Sequence, residues 1–268
     1  MAKTPVVLTI AGSDPYGGAG IQVDAKTIHA LGGYALSVPT ALTAQNSQGV
    51  FEVLPTPVES LRKQLEALLD DIEIDAVKIG MLANADVVQC VADIIERYSL
   101  KNVVLDTVLV SSSGQALLEP NALAVMKSKL LPIVDVVTPN LPELNQLLQS
   151  SYQGLSNEMV SIAEQLWPLG VKAAVIKGGH SVGEDCIDYL LQPNQLAESF
   201  FAERVVTSHT HGTGCVLSSA MATTLARGKN LVESVDMAKA FLTMNLKSSA
   251  SLKFSYHEVC DNRREPIL

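Results

Sequence analysis

The sequence predicts an α/β protein: a mostly parallel central sheet, helices on both faces, and an antiparallel edge. Three observations carry this expectation. Short apolar runs alternate with amphipathic stretches along most of the chain, and single charged residues stand where several of the apolar runs end. Hydrophobic residues make up 47% of the 268 residues but aromatics only 4%, so the core must be built from Ala, Val, Leu and Ile. Such a core suits parallel strands covered on both sides, joined by right-handed crossovers.

The elements follow in order. The run at 5–11 is too short for a signal segment or a membrane span and reads as a buried strand. A helix follows over 18–31, with Ile21, Ala25, Ile28 and Leu31 as its buried face. Residues 34–44 read as one strand. Over 57–70, Leu61, Leu65, Leu68 and Leu69 share a helical face while Arg62, Lys63 and Glu66 cover the other. Strands are expected at 75–80, 102–107, 134–138 and 172–177, and helices at 84–98, 120–131, 156–168, 214–227 and 231–250. The alternation breaks at 185–206. Cys186 to Leu191, a Gln-Pro-Asn turn, and Glu198 to Val206 read as antiparallel strands at a sheet edge. With no repeat and no low-complexity linker, one domain over 1–268 is the simplest account, with an irregular tail after about 252.

A formal charge of −9 argues against a nucleic-acid partner, which needs a basic surface. The four cysteines, Cys90, Cys186, Cys215 and Cys260, are far apart, so neither a zinc site nor a disulfide framework is suggested. The cytoplasm is the default location, and no membrane association is expected.

In an open parallel sheet, ligands collect beyond the carboxyl ends of the strands, and the chemistry-bearing residues sit there. The sharpest motif is Thr210-His211-Gly212-Thr213-Gly214-Cys215, running into an Ala- and Ser-rich helix. Gly212, Thr213 and Gly214 would present backbone N–H groups at a helix N-terminus, an anion site suited to a transferring phosphoryl group. Cys215 would lie in the first turn, where its thiol pKa is expected to fall, making it a candidate proton acceptor. The same residues also fit a plain turn before a core helix. A dinucleotide fingerprint is not supported, because the third glycine and a ribose-binding carboxylate are missing. There is also no GxxxxGK[ST] phosphate loop.

After the first strand comes Gly12-Ser13-Asp14-Pro15-Tyr16-Gly17-Gly18-Ala19-Gly20, then Asp24 in the expected first turn of a helix. Asp24 could meet an amine or hydroxyl of a ligand, or simply complement the helix dipole. Gln45 ends a strand with a donor and an acceptor on one side chain, matching the edge of an aminopyrimidine, or serves a turn. Asp106, Glu143 (after Asn140) and Lys177 close three more strands. Two carboxylates and one cation suit a Mg²⁺–nucleotide site, although Glu143 could equally be an N-cap-region acid.

These motifs together resemble the hydroxymethylpyrimidine and phosphomethylpyrimidine kinases of thiamine biosynthesis, within the ribokinase-like superfamily. The resemblance covers roughly 5–250 through AGSDPYGGAGIQVDAKT, LTAQNSQGV, KIGML, VVLDTVL, TPNLPE, IKGGH and THGTGC. It implies a ribokinase-like three-layer sandwich and ATP-dependent phosphorylation of the pyrimidine alcohol and then of its monophosphate. It implies a substrate pocket in which Gly12, Ala19, Asp24, Gln45, Met81 and Val108 take part. It also implies Lys177, Glu143, Asn140 and Thr213 toward ATP, Asp106 and Glu143 toward Mg²⁺, Cys215 where relatives carry an aspartate base, and a homodimer. The chain departs from the family's C-terminal glycine-rich segment at 251–258, and Ser111-Ser112-Ser113 stands where members often carry a lysine. A pyridoxal kinase of the same fold is the nearest alternative. A non-catalytic pyrimidine- or nucleotide-binding regulator is the alternative of another class.

Overall fold

The computed structural model describes residues 3–46, 48–111, 114–180, 185–207 and 210–247. Residues 112 and 113 and the tail, including 251–258, fall outside the described residues.

The chain runs β1 (Val6–Ala11), α1 (Gly20–Ala30), β2 (Tyr34–Pro39), β3 (Ala41–Asn46), β4 (Gly49–Pro55), α2 (Val58–Leu69), β5 (Ala76–Ile79) and α3 (Ala85–Tyr98). It continues through β6 (Val103–Leu105), α4 (Pro120–Val125), β7 (Val136–Val137), α5 (Leu141–Leu148), α6 (Met159–Leu166), β8 (Ala174–Ile176), β9 (Asp185–Leu191), β10 (Glu198–Glu203), α7 (Thr213–Ala226) and α8 (Leu231–Lys247). Eight strands form one sheet in the order β10-β9-β8-β7-β6-β5-β1-β2. The pairs from β2 to β8 are parallel, while β8–β9 and β9–β10 are antiparallel. This is the mostly parallel sheet with an antiparallel edge that the residue pattern predicts.

Alternate residues of each strand serve opposite faces. Leu8, Ile10, Val77 and Ile79 pack with α2, α3, α5 and α6, whereas Val7, Ala76, Val104 and Val175 pack with α1, α7 and α8. In α2, Leu61 and Leu65 are fully buried with Leu68 and Leu69 packed beside them, as the period indicates.

Three expectations need correction. Residues 34–44 are two strands. The chain leaves the sheet at Thr40, whose hydroxyl bonds to Met81 O, and β3 pairs instead with β4 as a separate two-stranded ribbon. β4 was not foreseen, because its outer face leaves Phe51 and Leu54 in solvent and lacks a strand's usual alternation. The buried face of α1 is Val23, Asp24, Thr27 and Ile28, one step round from the expected stripe. Because α1 starts at Gly20, Asp24 lies beyond its first turn and points across to the sheet rather than back toward the loop. The helix expected over 120–131 is α4 continued by a π-helical turn, Met126–Leu130.

The strand order reverses between β1 and β5: the chain moves outward to β2, then returns to the other side of β1. A crevice opens at such a switch point, above the strands' carboxyl ends.

Candidate active site

A cleft of about 650 Å³ occupies that crevice. Gly12, Ala19, Gln45, Met81 and Val108 line one end, and Asn140, Glu143 and Lys177 line the middle beside Asp106 and the Gly212–Cys215 turn. Sequence elements more than 200 residues apart therefore meet in one cavity, as the motif reading requires.

The floor is the start of α7. Gly212 is its N-cap, with φ 78°, a left-handed conformation that disfavours side chains. A Cβ there would also lie 1.8 Å from Gly18 O, so the turn seats directly on the glycine-rich loop after β1. A Cβ on Gly214 would lie 3.2 Å from both Asp106 Oδ2 and Lys177 Nζ. The backbone N–H groups that open α7 thus stand next to the site's cation and carboxylate, and α7 at fourteen residues is long enough to bring a full dipole to that point.

Lys177 Nζ donates to Asp106 Oδ1 at 2.8 Å and lies 3.7 Å from Glu143 Oε2. Burial alone would raise the Asp106 carboxyl, but Lys177 and then Lys78 outweigh it, so its pKa is lowered. The Glu143 carboxyl goes the other way. Burial raises it, the more distant Lys177 does not offset this, and Asp106 adds repulsion. Burial works against the Lys177 ammonium, but Asp106 and Glu143 overcome it and raise its pKa. Glu143 also closes a capping box with Asn140: Asn140 Oδ1 accepts from Glu143 N at 2.9 Å and Glu143 Oε2 accepts from Asn140 N at 2.8 Å. The N-cap reading of Glu143 therefore holds, and the same carboxylate lines the cleft beside Lys177. Oε2 caps the helix and takes a bond from Thr107, while among the described residues Oε1 accepts none.

This donor set suits a divalent ion of the Mg²⁺ type. Such an ion takes one or two carboxylates and keeps waters and phosphate oxygens for its remaining positions. Glu143 offers an open oxygen on a buried carboxylate that lacks full compensation, and Asp106 stands beside it. Among the described residues no cluster of three or more His, Cys, Asp or Glu side chains provides an all-protein cage.

Two sequence expectations fail here. Asp24 does not line the cleft. It is fully buried, and its oxygens accept from Lys78 Nζ (2.9 and 2.8 Å), Thr9 Oγ1 (2.6 Å) and Ser219 Oγ (2.8 Å). The reason is the pointing of α1: a carboxylate on its buried face meets the lysine inside β5, not a ligand. Cys215 does lie in the first turn of α7 and reaches the cleft, but its thiol pKa is not lowered. Burial pushes it up to about 11, and the opposing pull of the Lys78 ammonium does not offset that. Desolvation of a thiolate outweighs the dipole when Asp24 and Asp106 already hold the lysine's charge.

Several residues escaped the motif reading. Asp14 Oδ1 accepts from Tyr16 N at 2.9 Å, and Oδ2 from Gly18 N at 3.1 Å and Ala19 N at 2.9 Å, so this one carboxylate shapes the loop. His211 Nε2 lies 3.0 Å from Asp14 Oδ2 and 3.1 Å from the Gln45 amide. At the far end, Lys239 of α8 pairs with Asp188 of β9 at 2.8 Å, and Asp188 Oδ1 accepts from Gly178 N at 2.7 Å. The one visible signal was Lys78, a lysine inside the four-residue strand AVKI, where a buried partner is obligatory.

The family model described as phosphomethylpyrimidine kinase matches residues 14–260. The chain belongs to that family. This kinase is 44% identical over 249 residues to the hydroxymethylpyrimidine/phosphomethylpyrimidine kinase of Escherichia coli (strain K12), covering 93% of each. Among solved structures, the phosphomethylpyrimidine kinase of Clostridium difficile 630 superposes with a TM-score of 0.80 at 37% identity, covering 91% of this chain and 100% of that one. The pyridoxal kinase of Staphylococcus aureus in complex with pyridoxal superposes with a TM-score of 0.83 at 31% identity, covering 92% and 89%. The fold is thus that of the ribokinase-like kinases.

Proposed function

We propose that this kinase transfers the γ-phosphoryl group of ATP to the hydroxymethyl oxygen of 4-amino-5-hydroxymethyl-2-methylpyrimidine, and then phosphorylates the monophosphate, in thiamine biosynthesis. One observation carries the reading: the α7 N-terminus, Lys177 and Asp106 converge within 3.2 Å of the Gly214 Cβ position, in the same cleft as Gln45.

Phosphoryl transfer asks little covalent help of a protein and much positioning and charge stabilisation. Gly12 and Ala19 let the pyrimidine approach the backbone, Met81 and Val108 wall its ring, and Gln45 meets its amine edge. The N–H groups at Gly212 and Gly214 face the oxygens that gain charge, while the Thr213 N–H donates within the turn to Thr210 O at 3.4 Å. Lys177 contributes a point charge, kept protonated by Asp106. Asn140 and Glu143 border the nucleotide side, and Asp106 and Glu143 are the residues that would hold Mg²⁺, whose chemistry is to neutralise phosphate charge. At neutral pH the Cys215 thiol keeps its proton, so it acts as a neutral wall beside the attacking oxygen rather than a resting base. Asp24 supports the site from beneath through Lys78.

A homodimer fits the ribbon, where Leu42 and Leu54, paired across β3 and β4, are both more than half exposed beside Phe51. A cytoplasmic setting is compatible with the described helices, none of which is long and apolar enough to cross a membrane. The test is a coupled ATP-consumption assay with the pyrimidine alcohol, its monophosphate and pyridoxal side by side. Turnover of both pyrimidines well above pyridoxal supports the reading. Turnover of pyridoxal alone replaces it with the alternative, and binding without turnover of any replaces it with the regulator.

A further inference from the structure

We infer that His211, held by Asp14, fixes which way round the Gln45 amide faces, and thereby makes the pocket prefer an aminopyrimidine to pyridoxal. The inference rests on the aminopyrimidine reading above and adds the residue that sets its specificity.

As placed, the Gln45 amide turns its Nε2 to His211 Nε2 at 3.1 Å and its Oε1 to Thr43 Oγ1 at 3.3 Å; turning it over about its last bond exchanges the two. The termini have the same shape, and only their partners tell oxygen from nitrogen. Those partners are not neutral about the answer. Both oxygens of Asp14 accept backbone N–H bonds, from Tyr16 on one side and from Gly18 and Ala19 on the other, which favours the ionised, acceptor-only carboxylate. Its pKa agrees: burial opposes ionisation, but the His211 ring and these N–H donors outweigh it and lower the value. An ionised oxygen 3.0 Å from His211 Nε2 requires a proton on that nitrogen, whether the ring is neutral or charged. The amide terminus beside Nε2 is therefore the carbonyl oxygen, because an amide nitrogen there would set donor against donor.

The other end gives the same polarity independently. Thr43 Oγ1 donates its single proton to Ser13 O at 2.8 Å. It can then only accept from Gln45, so the terminus on its side is the NH₂ group. A directed chain results: Nε2–H of His211 toward Asp14 and Gln45 Oε1, Gln45 N–H to Thr43, and Thr43 O–H to Ser13 O. Its direction is set at the buried Asp14 carboxylate.

Oε1 is then the amide end beside His211, which precedes Gly212 in the glycine turn, and the N–H end is the one beside Thr43. A ligand must offer a donor near the transfer site and an acceptor farther away. In the pyrimidine the amino group sits on the ring carbon next to the one bearing the reacting hydroxymethyl group, so it points its N–H at Oε1, and the adjacent ring nitrogen meets the amide N–H. Pyridoxal carries an aldehyde on the corresponding carbon, and its oxygen would face Oε1 acceptor to acceptor.

The experiment measures kcat/KM for the pyrimidine alcohol and for pyridoxal in wild type, His211→Phe, Thr43→Val and Thr43→Ser, with melting temperatures alongside. Wild type should favour the pyrimidine. His211→Phe leaves only the Thr43 hydroxyl, which can turn its proton from Ser13 O to Gln45, to hold the amide, so the selectivity ratio should fall about tenfold, as expected for one buried hydrogen-bond mismatch. The pyridoxal value itself should hold or rise, which a merely damaged site would not show. Thr43→Val should move the ratio the same way and Thr43→Ser should keep it. If His211→Phe does not fold, Thr43→Val decides. A ratio within about twofold of wild type in the deciding variant overturns the inference. So does a wild type without preference, which leaves the kinase reading standing. A wild type inactive on both alcohols removes that reading and this inference together.

Discussion

Lys78→Met tests whether Asp24 is a scaffold residue or a substrate contact. Both side chains are fully buried and meet at 2.8 Å. Removing the ammonium leaves a carboxylate in the core with only the Thr9 and Ser219 hydroxyls to hold it. Breaking one side of such a pair costs about 3–5 kcal/mol, because the remaining charge is neither hydrated nor matched. Against a total stability of about 5–15 kcal/mol that is a large fraction. For a chain of this size it corresponds to a drop of about 6–20 °C in melting temperature. Asp24→Asn should cost a similar amount from the other side, since Lys78 is then unmatched. The double variant Asp24→Asn with Lys78→Met buries no net charge and should recover most of the loss, as replaced buried pairs commonly do. The assay is denaturant unfolding followed by circular dichroism, with KM for the pyrimidine alcohol measured on the double variant. Near-native stability and a KM within about threefold of wild type, roughly 0.7 kcal/mol, are expected. An Asp24→Asn protein as stable as wild type but unable to bind the pyrimidine would refute the scaffold role and restore the direct contact that the motif suggested.

Three further outcomes follow from the same geometry. Gly214→Ala places a methyl group 3.2 Å from Asp106 Oδ2 and Lys177 Nζ without backbone strain, so the protein should fold while kcat falls by about 10²-fold, the scale of a small misplacement of reacting groups; steady-state kinetics with unchanged circular dichroism checks it. Cys215→Ala should cost less, about tenfold or under, below the 10²–10⁴ typical of a general base. Because the thiol ionises only near 11, the ratio of wild-type to variant rate should stay flat from pH 7 to 9; a ratio rising with pH would make the thiolate the base. Lys239→Met removes the partner of Asp188 Oδ2 and loosens the bond from Asp188 to Gly178 N, next to Lys177. KM for ATP should rise about tenfold while KM for the pyrimidine stays, which substrate-varied initial rates would read.

The parallel sheet was legible because each buried strand leaves a short aliphatic run with a charged or polar residue at its end, as Val103–Leu105 does before Asp106. The placement of Lys177, Asp106, Glu143, Gln45 and the Gly212–Gly214 turn around one cleft followed from that geometry alone. What the sequence concealed depends on direction rather than on position. Asp24 lies on α1 as the pattern indicates, but past its first turn and on the helix's buried face, so its carboxylate meets the core rather than the loop. The first-turn position of Cys215 was correct, yet its ionisation depends on which neighbours already share the charge of Lys78. β4 was hidden because the ribbon's outer side presents Phe51 and Leu54 to solvent, a pattern that reads as loop until a partner covers it. His211 and Asp14 stood within recognised motifs, but 197 residues separate them, and no local rule pairs them.

The charge arrangement explains how a protein with a formal charge of −9 can work on a polyphosphate. Two buried lysines, Lys78 and Lys177, face three carboxylates, Asp24, Asp106 and Glu143. With all of them ionised the cluster carries one excess negative charge, and repulsion from Asp106 adds to the burial that raises the Glu143 pKa. A bare triphosphate brought to Glu143 would meet repulsion that Lys177, already committed to Asp106, could not cancel. Glu143, with its open Oε1, and Asp106 would hold a divalent cation whose two positive charges would reverse the balance and free part of the Lys177 field for the phosphate. Such a cluster would favour a metal-bound nucleotide over a free one, and would leave the N–H groups of α7 to hold the charge that moves during transfer.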